Sequence, residues 1–239
     1  MSGYFYALGG ANYDKKESLI VDLDIIKETN KKNPTLLLVT AANNDNPNKI
    51  NVMEKYFESL GISVKLLKSD NLEADKINDL FGNADIIYLC GGITSRLLEY
   101  AIKINLYNLL IDAFNKGKII VGVSAGAILF FDYGYGDKDA YMYNMESVNH
   151  TIVNGIGIFS GVFCPHYQNS GLLSFHEEIK KYNLNGFALE NGSALKISNE
   201  NFTIIKSKGT SAFIFECDNQ HKLKYLKENV VYDVKLFKQ

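Results

Sequence analysis

Short apolar runs alternate with segments of helical period through the first half of the chain. Residues 4–8 form an apolar run ending at Gly9-Gly10, and in residues 17–31 the apolar positions Leu19, Ile20, Leu23 and Ile26 keep helical spacing. Residues 35–40 (TLLLVT) predict a buried strand, followed by the polar loop AANNDNPNK and a helix over about residues 50–60 that stops at Gly61. A third strand is expected over residues 62–67 and a helix over 74–81, before a fourth strand over 84–90 that runs into Gly91-Gly92. Two helical stretches, 95–104 and 107–116, lead to the β-branched run 119–123, and an Ala-rich segment follows at once.

Strands and helices in this rhythm predict a mostly parallel sheet with helices on both faces. Right-handed crossovers then set the carboxyl ends of the strands on one edge, where such sheets bind ligands. Gly9-Gly10, Thr40, Gly91-Gly92 and Ser124 are expected along that rim. Beyond Phe131 the pattern changes: residues 132–150 are rich in Tyr, Gly and Asp without clear period and read as a surface excursion beside the rim. A strand end at 161–165, a helix over 172–181 and short strands at 186–190, 194–197, 202–206 and 211–216 read as an antiparallel extension of the same sheet. The tail KLKYLKENVVYDVKLF fits a strand or a short helix equally. No repeat, low-complexity linker or proline-rich boundary divides the 239 residues, so one domain over 1–239 is expected.

Charge narrows the partners. The net charge is −2, from 25 basic and 27 acidic residues, with no basic stripe, which argues against nucleic acid. No run approaches 18 apolar residues and the first residues lack a signal-peptide pattern, so neither a membrane span nor export is expected. Cys90, Cys164 and Cys217 are odd in number and widely spaced, which fits a reducing, cytoplasmic setting and disfavours a disulfide framework. Neither dinucleotide-binding nor P-loop glycine spacing is present, and the His and Cys residues show no metal-ligand spacing, so no cofactor or metal is expected.

The candidate chemistry centres on Gly122-Val-Ser124-Ala-Gly126, which fits a G-x-S-x-G nucleophile elbow between strand and helix. The flanking glycines leave room for a sharp turn that strains the serine backbone, and a helix start after it would offer free amides to an oxyanion. A serine at such a position also serves as a simple helix cap. As a nucleophile it needs a base. Of His150, His166, His176 and His221, the second is favoured, since it follows Cys164-Pro165 at a strand end; His176 reads as part of a solvated helix face and His221 as part of a polar loop. Glu190, at the end of GFALE, is the favoured carboxylate, with Asp132, Asp137 and Asp139 of the excursion as rivals. The amides of Ala125 and Gly92 are the expected oxyanion donors.

These blocks, Leu8-Gly9-Gly10, TLLLVTAAN, YLCGGITSRLL, GVSAGA and Pro165-His166, resemble in order and spacing the aspartyl dipeptidase (peptidase E) family of serine peptidases, within the class I glutamine amidotransferase-like superfamily. The resemblance implies a flavodoxin-like three-layer α/β sandwich, a Ser124 nucleophile, a His166 base and a glycine amide after the fourth strand in the oxyanion hole. For the third member it implies a downstream acid, best matched by Glu190, with Asp139 as the alternative. Two departures stand out. Ile93 occupies the family's asparagine position, and the segment YQNSGLLSFHEE after His166 lacks the arginine that pairs with a substrate aspartate. The expectation is therefore a serine peptidase acting on a short peptide or other small acyl substrate, without aspartyl specificity, as a monomer or homodimer. An amidase or esterase with the same residues, or a catalytically silent binding protein of this fold, are the other readings.

Overall fold

The computed structural model describes residues 3–137, 150–168, 173–219 and 222–237. In chain order the elements begin with β1 (Tyr4–Leu8), α1 (Leu19–Glu28), β2 (Thr35–Val39), α2 (Pro47–Ser59), β3 (Ser63–Leu67), α3 (Ala74–Asn83) and β4 (Ile86–Leu89). They continue with α4 (Thr94–Lys103), α5 (Leu106–Asn115), β5 (Ile119–Val123), α6 (Ala125–Ile128), β6 (Phe131–Asp137), β7 (His150–Asn154) and β8 (Phe159–Cys164). The last are α7 (Leu173–Ile179), β9 (Gly186–Leu189), β10 (Ser193–Ile197), β11 (Asn201–Lys206), β12 (Ala212–Glu216), β13 (Lys222–Tyr225) and β14 (Tyr232–Asp233).

The main sheet has eight strands in the order β14-β11-β10-β1-β5-β4-β2-β3. Its five N-terminal strands are mutually parallel, while β10, β11 and β14 add antiparallel on the β1 side. Each central strand is apolar on both faces because each face is covered. Tyr6, Leu8, Leu36, Leu38 and Val121 pack with Val21, Ile25, Met53 and Phe57 of α1 and α2. Phe5, Ala7, Leu37, Val39 and Ile120 face the opposite way, toward residues of α3, α4, α5 and the second sheet. This is the flavodoxin-like sandwich. Helix starts follow local chemistry: Asn46 caps α2 by accepting from the amides of Asn48 and Lys49, with Pro47 at the first helical position.

The expected antiparallel extension holds for β10 and β11, with β14 of the undecided tail added beyond them, but not for β9 and β12. A second, six-stranded sheet, β13-β12-β9-β8-β6-β7, takes the remaining late strands, and β8 pairs parallel with both β6 and β9. Both ends of the expected surface excursion are strands, β6 and β7 pairing antiparallel. Residues 138–149, Asp139 among them, lie outside the described residues. A phenylalanine cluster joins the two sheets: Phe131 stacks on Phe163 at 5.0 Å, and Phe187 of β9 lies 6.2 Å from Phe202 of β11. Burying each of these rings contributes about 2–3 kcal/mol.

One buried carboxylate stands out on the inner face of α1. Asp22 accepts hydrogen bonds from Ser18 Oγ (2.8 Å) and Tyr56 OH (2.7 Å), while its Oδ1 finds no partner among the described residues. Burial pushes its carboxyl from 3.8 up to about 6, although the two hydroxyls act in the opposite sense. A carboxyl whose folded-state pKa is raised binds its proton more tightly folded than unfolded. Its contribution is therefore greatest below about pH 4 and is lost as pH rises through 6. Denaturant unfolding of the wild type and Asp22→Asn at about pH 4 and about pH 6 is expected to show a difference between them that changes by about 2 kcal/mol, the wild type losing ground toward pH 6. A pH-independent difference contradicts this.

Candidate active site

The turn after β5 is built around Ser124, whose backbone sits at φ 53° and ψ −112°, a conformation strained for any residue with a side chain. Its glycine neighbours are required by contact. A Cβ on Gly122 would lie 2.4 Å from the carbonyl oxygen of Gly126, and one on Gly126 would lie 2.3 Å from that of Leu89. The Ser124 amide donates to Leu8 O (3.1 Å), and its carbonyl accepts from Ala127 and Ile128 at 2.9 Å. These bonds tie the turn to β1 and hold the serine half-buried at the rim. The helix that follows spans only four residues, so its dipole adds little and the turn's own amides matter more.

His166 reaches the same point from the second sheet. It follows β8, carries a positive φ of 54°, and donates its amide to Gly9 O at 2.8 Å, while Tyr167 N donates to Leu189 O at 3.0 Å. Its Nε2 lies 2.8 Å from Ser124 Oγ and its Nδ1 lies 2.7 Å from Asn191 Oδ1. Asn191 in turn donates from Nδ2 to Glu17 Oε2 at 3.2 Å. An ionised carboxylate can only accept, so this last bond turns the amide nitrogen to Glu17 and the amide oxygen to His166. Nδ1 then carries the imidazole proton, and Nε2 is left with its lone pair toward the serine hydroxyl. Gly10 makes the approach possible. A Cβ there would stand 2.2 Å from Asn191 Oδ1 and 2.6 Å from His166 Cε1.

The expected acid is placed elsewhere. Glu190 Oε2 accepts from the amide of Ser211 at 2.8 Å, bracing β12 against the end of β9, and its neighbour Asn191 takes the imidazole. Asp132 accepts from Ser160 Oγ (2.8 Å) and the Gly161 amide (3.3 Å), away from the imidazole. His176 shares a hydrogen bond with Tyr167 OH (3.1 Å), with burial pulling its pKa down, and His221 lies outside the described residues. Sequence reasoning missed Asn191 because the search was for a carboxylate; the Asn191-Gly192 turn at the strand end was the available signal.

Of the expected oxyanion donors, Ala125 directly follows the serine in the chain, and Gly92 follows Gly91, which passes close to it. A Cβ on Gly91 would be 3.9 Å from Ser124 Oγ, and Gly92 adopts φ +150° against the turn that follows β2, where a Cβ would stand 2.2 Å from Ala42 O. Among the described residues the amides of Gly92 and Ala125 donate to no protein acceptor. After His166, where the resemblance puts an arginine, Gln168 Oε1 accepts from the Asn191 amide at 3.0 Å. The lone arginine, Arg96, lies on α4 and forms no ion pair among the described residues.

A serine aimed at an imidazole from a strained strand-to-helix turn is the arrangement of a serine hydrolase, and the match to known proteins runs through the whole of it. The family model for peptidase family S51 aligns with residues 5–205, which include Ser124, His166 and Asn191. The chain belongs to peptidase family S51. This S51 member is thus a serine-type peptidase, a hydrolase. It is 26% identical over 213 residues to the uncharacterised peptidase YgaJ of Bacillus subtilis (strain 168), covering 87% of this chain and 89% of that protein. Against the uncharacterised peptidase Lmo0363 of Listeria monocytogenes it is 28% identical over 130 residues, 53% of this chain and 61% of that one. In fold, this S51 chain matches a peptidase from an acI-B1 actinobacterium with a TM-score of 0.75 at 17% identity, over 98% of this chain and 97% of that one. A Listeria monocytogenes EGD-e protein carrying the name peptidase E matches with a TM-score of 0.66 at 21% identity, over 87% and 100% of the two chains. Among the described residues, no helix is long and apolar enough to cross a membrane.

Proposed function

We propose that this S51 peptidase hydrolyses short peptides through Ser124, His166 and Asn191. The observation that carries the reading is the 2.8 Å contact between His166 Nε2 and Ser124 Oγ, with Nδ1 held from behind by Asn191. As Oγ attacks the scissile carbonyl carbon, its proton passes to Nε2. The oxyanion so formed accepts from the amides of Gly92 and Ala125. The imidazolium then returns its proton to the departing amine nitrogen, the C–N bond breaks, and an acyl-enzyme ester remains on Ser124. Water, deprotonated by the same nitrogen, attacks the ester, and Ser124 leaves with the proton. Asn191 takes the place proposed from sequence for Glu190, because the Glu190 carboxylate is committed to Ser211.

An N-terminal aspartate is not the proposed target, since Tyr167 and Gln168, not an arginine, follow His166. A dipeptide and tripeptide library, read by amine release, is expected to show cleavage of peptides without an aspartate requirement, absent in Ser124→Ala. Turnover of activated esters with no peptide cleaved would replace this reading with an esterase, and turnover only of N-terminal aspartyl peptides would overturn the specificity.

A further inference from the structure

We infer that Glu17 is a positioning residue for the reaction, supplying through Asn191 the negative charge that the imidazole's own partner lacks. The inference rests on the Ser124–His166 reading above. An imidazole that gains a proton in the transition state is steadied by an anion behind Nδ1, and here the group in contact is a neutral amide. The carboxylate of Glu17 stands one amide further out, accepting from Asn191 Nδ2 at 3.2 Å. That bond does two things. It fixes which end of the amide faces His166, and hence which imidazole nitrogen carries the proton. It also polarises the amide, raising the negative charge on Oδ1 when the imidazolium forms.

The placement of Glu17 is overdetermined from both ends of the chain. Its amide donates to Asn12 O (3.1 Å), and its carbonyl accepts from Ser207 Oγ at 2.6 Å. Gly192, next to Asn191 and with φ +73°, presses against the same carbonyl, where a Cβ would lie 2.6 Å from the oxygen. The next residue, Ser18, is fully buried and bonded to Asp22 on α1. Three segments thus converge to fix the backbone that carries this half-buried side chain to Asn191, more than a solvated turn glutamate needs.

A charge exchange tests this in the whole protein. Glu17→Gln keeps the shape and removes the charge; kcat is expected to fall about 10- to 100-fold, the range for partners one shell behind a working histidine, with KM within about twofold because Glu17 touches no substrate. Asn191→Asp alone sets two carboxylates face to face and is expected to lower kcat as well. The double variant Glu17→Gln/Asn191→Asp restores one charge and one donor in exchanged positions, so kcat is expected to recover to within about threefold of wild type. Recovery is the signature of a shared charge, which a merely structural glutamate does not produce. Unchanged kcat in Glu17→Gln, or a double variant no faster than the slower single one, overturns the inference. Reaction with a serine-directed phosphonate separates the two levels. If wild type labels on Ser124 and Glu17→Gln labels equally fast, only the role of Glu17 falls; if wild type never labels, the nucleophile reading falls and takes this inference with it.

Discussion

Ser124→Gly is expected to leave a more stable protein with no measurable turnover. The serine sits at φ 53° and ψ −112°, where a Cβ carries strain of about 1–3 kcal/mol and glycine carries almost none. Against the extra entropy glycine loses on folding, about 0.5–1 kcal/mol, the net gain is about 1 kcal/mol. Loss of the only nucleophile proposed for the reaction is expected to lower kcat by about four to six orders of magnitude. Ser124→Ala separates the two effects, since it removes the hydroxyl and keeps the strain: equal loss of turnover, without the gain in stability. Urea unfolding of the three proteins, with turnover measured on the same preparations, gives both quantities. Glycine and alanine variants of equal stability contradict the strain account.

Gly10→Ala is expected to damage catalysis while leaving the nucleophile turn in place. Gly10 has no positive φ, so its backbone accepts alanine and the whole cost falls on what the methyl group meets. It meets Asn191 Oδ1 at 2.2 Å and His166 Cε1 at 2.6 Å, so the pair has to move by about 1 Å. His166 has little room to yield, because its own amide is tied to Gly9 and that of Tyr167 to Leu189. A displacement of that size costs about 100-fold or more in kcat/KM. Steady-state kinetics on Gly10→Ala, with near-native unfolding behaviour, measures this; kcat/KM within a few fold of wild type contradicts the geometry.

Much of this site was legible in the residues, for reasons the contacts now explain. Gly122 and Gly126 could be read as an elbow because no other residue fits against Gly126 O and Leu89 O. His166 was legible from its place at the end of an apolar strand. The identity of its partner was not. Glu190 and Asn191 are neighbours at the end of β9, and which one turns toward the imidazole depends on a backbone path that residue types do not encode. Glu17 was further out of reach, 174 residues from Asn191 in sequence and joined to it only once β1 and β10 pair.

The fold divides the same way. The central parallel strands β1, β2, β4 and β5 announce themselves because both faces are buried and their runs are continuous. β6 hid in the Tyr-, Gly- and Asp-rich stretch because Asp132, Gly134, Gly136 and Asp137, residue types depleted in strands, fill four of its seven positions. At Gly134 a side chain is excluded, since a Cβ would lie 2.3 Å from Ile128 Cγ2 of α6. A strand with its packing positions given to glycine reads as a loop, and with it the second sheet that carries His166 to Ser124 went unread.

The central claim, that Ser124 is a nucleophile activated by His166, is tested most directly by treating the folded protein with a serine-directed phosphonate and locating the adduct by peptide mass. The account predicts one adduct per chain, on the peptide that carries Ser124, lost in Ser124→Ala and strongly slowed in His166→Ala. A folded wild type that takes up no phosphonate on Ser124, or labels there equally well without His166, contradicts it.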